Sequence, residues 1–306
     1  MTSNEGTSSF KSGYCAIAGI PNAGKSTLLN ALLGTKLSII SAKPQTTRKR
    51  VLGIYSSDVE QIIFLDTPGI MPRPTTLHHK ALLEEVKRSF DDADVIVVLA
   101  EANLPPDKAL PEQWNKYVEL AKGKPFILAL SKIDLIKDKK DLFPILQKYG
   151  DMNIFTEIIP FSSKIKHNIK HFPALLGKYL PEGKPFFDTE QLSDQNDRFF
   201  VSEFIREHIF KQFRDEIPYS TEVEIIEYDE REAGKWFIKA NVLVERDNQK
   251  SILIGKGGEA LKKLGAAARN EIERFLGQPV YLELFVKSKD DWRNDKKALK
   301  DFGYQV

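Results

Sequence analysis

Residues 19–26 read Gly-Ile-Pro-Asn-Ala-Gly-Lys-Ser, a G-x-x-x-x-G-K-S pattern directly behind the apolar run 14–18. Glycines at this spacing let backbone N–H groups turn towards phosphate oxygens, and the helix expected next points its positive end at the same anion. Lys25 can reach the β- and γ-phosphates, and the Ser26 hydroxyl can ligate Mg²⁺. An ordinary tight strand-to-helix turn has the same local features. The predicted phosphate contacts are Gly19, Asn22, Ala23, Gly24, Lys25, Ser26 and Thr27.

A second segment that could do chemistry, Asp66-Thr67-Pro68-Gly69, begins 40 residues after Ser26 and follows the apolar run 61–65. An aspartate in this place can hold Mg²⁺ through water, and the Gly69 N–H can bind a γ-phosphate and move when that phosphate leaves. On its own the same tetrapeptide is a common turn. Behind a phosphate loop, it predicts a metal and switch element.

Two further polar segments, Ser131-Lys132-Ile133-Asp134 and Ser162-Ser163-Lys164, each follow an apolar run. Guanine presents its N1–H and N2 amino group side by side, so one carboxylate accepts both, whereas adenine has no matching pair of donors. Asp134 therefore predicts GTP rather than ATP, with the aliphatic stem of Lys132 against the base. Backbone N–H groups of 162–164 can bind guanine O6, although Ser-rich turns are common.

The scaffold for these segments is predicted from apolar runs that alternate with segments of helical period over residues 14–180. The runs 95–99 and 126–130 are continuously apolar, so both faces of those strands should be buried. The pattern predicts an α/β P-loop domain with a mostly parallel sheet flanked by helices. Strands are expected at 14–18, 51–55, 61–65, 95–100, 126–130 and 158–161. Helices are expected at about 25–33, 77–91, 111–122, 138–149 and 167–180.

Length and composition indicate about two domains in a cytoplasmic protein. The chain has 306 residues, of which 42% are hydrophobic and 29% charged, with a net charge of +2 and one cysteine. A single core rarely grows beyond about 250–300 residues. One cysteine cannot form an internal disulfide, so a reducing compartment and a packing role for Cys15 are expected. Residues 1–13 lack the apolar core of a secretory signal, and the longest apolar run, 95–100, is too short to span a membrane. Peripheral contact at the inner membrane face stays open.

The chain divides, by its pattern, into a tail at 1–13, a GTPase-like domain at 14–181, a linker at 182–197 and a second domain at 198–306. The linker is rich in Pro, Gly and short polar residues, which mark domain boundaries. The second domain reads helix, strand, strand, helix, helix, strand. Between its last two helices lies Gly255-Lys256-Gly257-Gly258, a G-x-x-G loop.

The element order and the loop together resemble the type II KH fold, an α+β module whose G-x-x-G loop clamps about four nucleotides of single-stranded nucleic acid. Charge agrees with this resemblance, because residues 246–306 carry 13 basic and 9 acidic side chains while residues 198–245 carry 7 and 11. The basic excess thus accompanies the loop. Solvated helices with ordinary lysines are the alternative. The expected RNA contacts are Gly255, Lys256, Gly257, Gly258 and Lys262.

The ordered motifs of the first domain resemble the translation-factor-related GTPases, and Pro44-Gln45-Thr46-Thr47-Arg48 narrows the resemblance to the Era family. Asp291-Trp292-Arg293-Asn294 and Phe302-Gly303-Tyr304 also resemble the end of that family, so the resemblance covers nearly the whole chain. It implies a slow GTPase that binds the 3′ region of small-subunit ribosomal RNA during assembly of the 30S subunit, with GTP and GDP as switch ligands.

The same resemblance assigns roles to individual residues. Thr47 corresponds to the switch threonine that ligates Mg²⁺, although the sequence leaves Thr46 as an alternative. Some members use K⁺ held by an asparagine of the phosphate loop, whose counterpart is Asn22; the alternative is a plain turn residue. The implied catalytic residues are Lys25, Asn22, Thr47 and Gly69, and the implied Mg²⁺ ligands are Ser26, Thr47 and Asp66.

Two positions, Ser131 and Ser163, depart from the family pattern, and a third, Ile70, differs from Ras-like GTPases. Ser131 stands where the family usually has Asn, whose amide would serve guanine N7 and the phosphate loop, so somewhat weaker guanine binding or selectivity is expected. Ser163 stands where Ala is common, which a backbone contact tolerates. Ile70 stands where Ras-like GTPases place a water-orienting glutamine, a feature known in the Era family.

Other readings of the sequence remain. A plain RNA-binding protein with a relic GTPase domain is disfavoured because Lys25, Ser26, Asp66 and Asp134 are all present. A related GTPase that helps to modify tRNA would need a further helical domain. An ATP-dependent kinase fits the phosphate loop alone but conflicts with Asp134.

Overall fold

The computed structural model of the chain describes residues 9–40, 43, 46–48, 50–69, 75–109 and 114–305. It divides into two compact units. The first comprises residues 1–38, 47–72 and 85–194, and the second comprises residues 39–46, 73–84 and 195–306. The boundary between the units at 194/195 lies within the segment expected to be a linker. Two short stretches from the first half of the chain, 39–46 and 73–84, are grouped with the second unit.

The first unit is built on a six-stranded sheet in the order β2-β3-β1-β4-β5-β6, in which β2 alone runs antiparallel to its neighbour. The mostly parallel sheet of the prediction is confirmed. Its strands are β1 Lys11–Gly19, β2 Val51–Ser56, β3 Glu60–Asp66, β4 Val95–Glu101, β5 Phe126–Ser131 and β6 Glu157–Pro160. The helices that begin in this half of the chain are α1 Lys25–Leu33, α2 Leu77–Asp92, α3 Pro106–Ala109, α4 Trp114–Leu120, α5 Leu142–Gly150 and α6 Phe172–Gly177.

Two hydrophobic clusters, one on each face, bury this sheet. Along β1, Ala16 and Ala18 enter one cluster, whereas Cys15 and Ile17 enter the other, because successive side chains of a strand point to opposite faces. Cys15 is fully buried, and burial raises the pKa of its thiol well above its ordinary value. A thiol held in this way is inert, which agrees with a packing role.

Three helices of the first unit are shorter than their patterns predict. Residues 111–122 were expected to form one helix, but α4 ends at Leu120, where Lys122 and Gly123 take positive φ angles. Residues 138–149 and 167–180 each begin with a 3₁₀ turn, so that α5 and α6 start later. The apolar pattern of each helix extends back across its 3₁₀ turn, because the apolar residues of such a turn can face the core as those of the helix do.

The segment after α6 makes hydrogen bonds to β1, β3 and the edge strand β2 of the first unit. Ser12 N donates to Pro181 O at 3.1 Å, and Ile54 N donates to Leu192 O at 2.9 Å. The fully buried side chain of Gln61 in β3 bonds the backbone of Phe187 in both directions, at 2.9 and 3.0 Å. Hydrogen bonds to the strands therefore hold the Pro- and Gly-rich segment that follows α6, up to residue 194.

The second unit contains a three-stranded sheet in the order β7-β8-β9, with β7 antiparallel and β9 parallel to β8. The predicted order of helix, strand, strand, helix, helix, strand is confirmed, and the short helices α8 and α11 add to it. The strands are β7 Glu222–Asp229, β8 Trp236–Val244 and β9 Val280–Ser288. The helices are α7 Asp197–Gln212, α8 Ile217–Ser220, α9 Asp247–Ile254, α10 Glu259–Leu276 and α11 Lys296–Asp301.

Within the residues that the structure describes, no helix has both the length and the apolar character needed to cross a bilayer.

Candidate functional site

The phosphate loop connects β1 to α1, as its flanking sequence predicts. Gly19, Asn22 and Gly24 have φ angles of 155°, 67° and 101°, and Gly24 is the residue from which α1 begins. A side chain strains the backbone at such angles, and a Cβ on Gly19 would also lie 3.0 Å from Leu99 O. Glycine and asparagine therefore allow a turn that leaves the first N–H groups of α1 without partners inside the helix, available to an anion.

Lys25 lies buried at this helix start. Its ammonium donates to Gly19 O and Ile20 O, both at 3.1 Å, so the charge lies over the loop itself. Burial lowers the pKa of Lys25 to about 8, and the carboxylate of Asp66 partly opposes that shift. A buried, weakly solvated ammonium is ready to interact strongly with a phosphate.

Three oxygen atoms from three separate segments converge beside Lys25. Ser26 Oγ donates to Asp66 Oδ2 at 2.9 Å and lies 3.0 Å from Thr47 Oγ1. The second carboxylate oxygen of Asp66, Oδ1, is buried and has no hydrogen-bond partner among the described residues. Hydroxyl and carboxylate oxygens are the ligands that Mg²⁺ takes in proteins, so this donor set fits the predicted metal.

The environment of Asp66 opposes its own ionisation in the isolated chain. Burial raises the pKa of Asp66, while the charge of Lys25 and the hydrogen bond from Ser26 act in the opposite direction. A divalent cation at this carboxylate would offset the cost of burying its charge. The burial of Asp66 therefore agrees with a metal-binding role.

The two threonines of the Pro44–Arg48 motif point to different partners. Thr47 Oγ1 lies by Ser26, whereas Thr46 Oγ1 donates to Lys43 O at 2.8 Å. They also fall in different compact units, Thr47 in the first and Thr46 in the second. Geometry thus favours Thr47 as the hydroxyl near the metal site. Pro44 and Gln45 lie outside the described residues.

Gly69 lies against the phosphate loop. A Cβ at this position would come within 3.0 Å of Pro21 Cγ and 3.1 Å of Pro21 N. Only glycine allows this approach without a shift, and the approach keeps the Gly69 backbone next to the predicted phosphate position. The following residue, Ile70, lies outside the described residues.

A cavity of about 270 Å³ brings the predicted base-binding segments together. Ser131 ends β5, and its Oγ donates to Ala23 O at 2.9 Å and to Ala100 O at 3.2 Å. The serine therefore ties the phosphate loop to the neighbouring strands, which is one of the two contacts expected of Asn. The predicted residues that line the cavity are Ala23, Gly24, Thr27, Ser131, Lys132, Asp134, Ser162, Ser163 and Lys164.

Two charged side chains of the cavity, Lys132 and Asp134, are each held by a partner. Lys132 has a φ of 59°, and its ammonium pairs with Glu101 Oε1 at 2.8 Å. Asp134 Oδ1 accepts a hydrogen bond from Ser162 Oγ at 2.6 Å. This bond aims the carboxylate, and it joins two motifs that lie 28 residues apart in the sequence.

Three residues of the cavity and its surroundings are absent from the predicted site. Leu135 and Phe161 line the cavity, and Glu101 orients Lys132. Leu135 follows Asp134 directly and Phe161 immediately precedes Ser162, so adjacency to the motifs was the available signal. Glu101 gave no signal, because it belongs to no motif and meets Lys132 only when β4 and β5 pair.

The glycine loop of the second unit is open to solvent. Gly255, Gly257 and Gly258 have φ angles of 74°, 59° and 80°. A Cβ on Gly255 would lie 2.6 Å from Ala260 Cβ, whereas one on Gly257 or Gly258 would have nothing within 4 Å. The loop thus presents bare backbone at the start of α10, with Lys256 and Lys262 exposed beside it.

A groove of about 480 Å³ continues from this loop between α10 and β9. Its walls are mostly apolar, and Lys262 and Arg269 place two cations along it. This combination suits a strand whose bases enter the groove while its phosphates face the cations. The lining residues are Gly258, Leu261, Lys262, Gly265, Ala266, Arg269, Leu282 and Leu284.

Known proteins match both units. A family model described as “50S ribosome-binding GTPase” matches residues 14–132, and one described as “KH domain” matches residues 216–293. GTPase Era of Geobacter metallireducens is 42% identical over 298 residues, covering 96% of this chain and 98% of the relative. A chloroplastic GTPase ERA-like protein of Arabidopsis thaliana is 41% identical, covering 96% of this chain and 69% of the relative.

Two crystal structures are similar to the chain over nearly its whole length. Era of Aquifex aeolicus, as a variant bound to GDP and AlF₄⁻, has a TM-score of 0.91 and 40% identity and covers 97% of this chain and 100% of its own. Era in complex with MgGDPNP and nucleotides 1506–1542 of 16S ribosomal RNA has a TM-score of 0.91, 41% identity and the same coverage.

Proposed function

The chain belongs to the Era family of GTPases, and on that premise we propose that it is a nucleotide-switched RNA-binding protein. It binds and hydrolyses GTP in the first unit and binds the 3′ region of small-subunit ribosomal RNA in the second. A relative was solved with MgGDPNP and such an RNA fragment, which supports both parts of the proposal. The 30S subunit, as the assembling particle, is part of the proposal, and a membrane surface is not.

The observation that carries the nucleotide half is one cavity, at which the phosphate loop meets the segments 131–134 and 162–164. Asp134 accepts from guanine N1–H and the N2 amino group, held in place by Ser162. The stem of Lys132 packs on the base, and backbone N–H groups of Ser163 and Lys164 reach O6. No motif alone selects guanine, but their convergence makes one site with the right donors and acceptors.

At the phosphate end, the chain supplies charge and fixed dipoles. The Lys25 ammonium holds the β- and γ-phosphate oxygens, and the N–H groups at the start of α1 bind the β-phosphate. Gly69 N–H binds the γ-phosphate, and its position against Pro21 holds it there. These groups are in place before the reaction, so little reorganisation accompanies charge development in the transition state.

Ser26, Thr47 and Asp66 are the residues that would hold Mg²⁺, with Asp66 acting directly or through water. Held by these residues, Mg²⁺ would supply positive charge that offsets the negative charge developing on the phosphates. Thr47 binds only when its segment is ordered, which makes this hydroxyl a sensor of the γ-phosphate.

Asn22 is proposed as a ligand for K⁺, which would partly fill the role of an arginine finger. Its place in the exposed loop beside the phosphates supports this, whereas its φ of 67° is also what an ordinary turn asparagine adopts. Turnover should be faster in K⁺ than in Na⁺, and Asn22→Ala should remove that difference. Asn153→Ala removes another asparagine with positive φ, at 53°, and should keep it.

The two activities are proposed to be coupled through the segments that adjoin Thr47 and Gly69. The described residues of 39–46 and 73–84 belong to the second compact unit. There, His78 packs edge-on against Trp292 and Tyr304, with ring centroids 5.4 and 4.8 Å apart. Because these segments continue directly into the γ-phosphate contacts, GTP and GDP should hold them differently.

The proposed function is tested by GTP turnover with and without single-stranded RNA from the 3′ end of 16S ribosomal RNA, in K⁺ and in Na⁺. We expect slow turnover that changes when RNA binds. An Asp134→Asn variant is the control for contaminating nucleotidases. Hydrolysis that is unchanged in this variant, or no hydrolysis by the wild type, would overturn the enzymatic assignment.

A further inference from the structure

The sheet of the second unit has one face covered by helices and one face that is only partly covered. Side chains of Ile238, Ala240 and Val242 in β8 are buried on the helical face. On the other face, the C-terminal segment covers one end. Tyr304 Oη donates to Glu222 Oε2 at 2.7 Å, and Arg293 Nε donates to Glu245 Oε1 at 3.1 Å.

The uncovered end of this face carries three aromatic rings. Phe237 of β8 and Tyr281 of β9 are register partners, and their rings stack with centroids 5.9 Å apart at an interplanar angle of 14°. Phe285, four residues after Tyr281, lies on the same face. The relative exposures of Tyr281 and Phe285 are 53% and 44%, high for large aromatic side chains. We call Phe237, Tyr281 and Phe285 with their cations the aromatic face.

Two cations lie on these rings. The Arg231 guanidinium carbon is 5.4 Å from the centre of the Phe237 ring, and Lys239 Nζ is 5.2 Å from the centre of the Phe285 ring. Charges of the opposite sign border the face, since Glu224, Glu227 and Asp229 are exposed along β7. A polyanion is therefore repelled from β7 and directed towards β8 and β9.

The aromatic face and the groove lie on the two sides of the edge strand β9. β9 is the edge strand, and its side chains alternate between faces: Leu282 and Leu284 line the groove, while Tyr281 and Phe285 lie on the aromatic face. A strand of nucleotides that leaves the groove at β9 thus meets exposed rings directly. On the basis of the proposed RNA binding, we propose that the aromatic face is a second contact surface for the same single-stranded RNA, on which the bases stack.

The composition of the face favours RNA over a protein partner. The core of a protein interface is depleted of charged residues. Here the register pair Lys239 and Glu283 lies between the Phe237–Tyr281 pair and Phe285, in the middle of the patch. A stacking surface tolerates such charges, because each base needs one ring face and keeps its phosphate in water. Arg and Lys beside aromatic rings add cation–π attraction to stacked bases.

The test compares RNAs that differ in length. The groove should hold about four nucleotides, so a four-nucleotide RNA probes the groove alone, and nested RNAs of about 12 nucleotides, extended on either the 5′ or the 3′ side, also reach the aromatic face. The probes come from the single-stranded part of 16S ribosomal RNA within nucleotides 1506–1542. The variant is Tyr281→Ala with Phe285→Ala. Ile226→Ala, which removes an exposed apolar residue from β7, is the matched control.

For one of the two extended RNAs, we expect the double variant to bind about 10-fold more weakly than the wild type does. Its affinity for the four-nucleotide RNA should stay within about twofold of the wild-type affinity. The single variant Tyr281→Phe should bind the extended RNA nearly as tightly as the wild type does, because stacking needs the ring and not the hydroxyl. A 2-aminopurine base placed in the extension should be quenched by the wild type and not by the double variant, which reads stacking directly.

Two results would overturn the proposal. The double variant could bind the long RNAs and the short RNA as the wild type does. Sedimentation without RNA could show self-association that the variant lacks, which would assign the face to a second copy. No binding of either RNA by the wild type would instead count against the proposed RNA function, so the two failures are distinguishable.

Discussion

The phosphate loop and the G-x-x-G loop use the same local device in opposite surroundings. Each places glycines with positive φ in front of a helix, so that backbone N–H groups face an anion. The phosphate loop is packed, with Gly69 against Pro21 and Lys25 buried. In the G-x-x-G loop, Lys256 and Gly257 are exposed to solvent.

This difference matches the two ligands. A compact triphosphate can be surrounded, so desolvated charges and a fixed metal site strengthen every contact. An extended RNA strand must lie across an open surface, where glycines allow close approach and mobile lysines neutralise phosphates. On the proposed function, the same backbone geometry would serve catalysis in one unit and reversible RNA binding in the other.

The largest expected effect is a loss of RNA binding that leaves nucleotide binding unchanged, so it distinguishes the G-x-x-G loop from the phosphate loop. Gly257→Asp with Gly258→Asp should weaken RNA binding by on the order of 100-fold, because two carboxylates face the phosphates where bare backbone lay. GDP affinity should stay within about twofold. Gly277→Asp is the matched control: it has φ 66° and an open Cβ position at the other end of α10. Equal RNA binding by the double variant and the wild type would remove the loop from the interface.

The next effect concerns the base. Asp134→Asn exchanges an acceptor for an amide, so GTP affinity should fall by up to about 100-fold, because guanine donors are left unpaired. Xanthosine triphosphate, which offers a carbonyl in place of the N2 amino group, should bind the variant better than GTP does. Competition of both nucleotides against a fluorescent GDP measures this. A variant that keeps its preference for guanine would contradict the assignment of the cavity.

The buried lysine gives the phosphate loop a pH dependence. Because the pKa of Lys25 is lowered to about 8, the free chain loses this proton at a lower pH than the nucleotide complex, in which phosphate stabilises the ammonium. Binding of GDP should therefore take up protons, and affinity should fall by up to about tenfold per pH unit as pH rises above 8. Calorimetry in buffers of different ionisation enthalpy measures the uptake. Zero uptake between pH 8 and 9 would contradict the burial of this charge.

The smallest effect concerns Ser131. Its hydroxyl keeps the bond to Ala23 O but is too short to serve guanine N7 as well. Wild type should bind 7-deaza-GTP about as well as GTP, whereas Ser131→Asn should bind GTP a few-fold more tightly and distinguish the two. Equal or tighter binding of GTP by the wild type than by the variant would refute this.

The sequence predicted most of the first unit because its motifs lie at the ends of strongly apolar strands, and most of the second because its helical and strand patterns follow each other clearly along the chain. The parallel sheet, the order of elements in the second unit and the meeting of Asp134 with Ser162 all follow from local pattern and strand order. Glu101 was missed because its role depends on pairing of β4 with β5, which no local pattern encodes. For the same reason, the cover that the C-terminal segment forms over one sheet end, through Tyr304, was not predicted.

The buried side chain of Gln61 is a further example. Its position in an apolar strand gave no sign that it bonds the backbone of Phe187, 126 residues away. Composition marked 182–197 as a breaker-rich linker, yet the hydrogen bonds of its first part are with β1, β2 and β3. Pro and Gly report that regular structure stops, and they carry no information about which edge the chain then lies against.

The two loops work as one switch only if the nucleotide bound at the phosphate loop changes the RNA affinity of the G-x-x-G loop. The most direct measurement is the affinity of the full chain for single-stranded RNA from the 3′ end of 16S ribosomal RNA, with GDP and with a non-hydrolysable GTP analogue. Coupling free energies between sites are typically about 1–3 kcal/mol, so we predict affinities that differ at least about fivefold between the two nucleotides. Equal affinities, with both nucleotides shown to be bound, would contradict a nucleotide-switched RNA-binding protein.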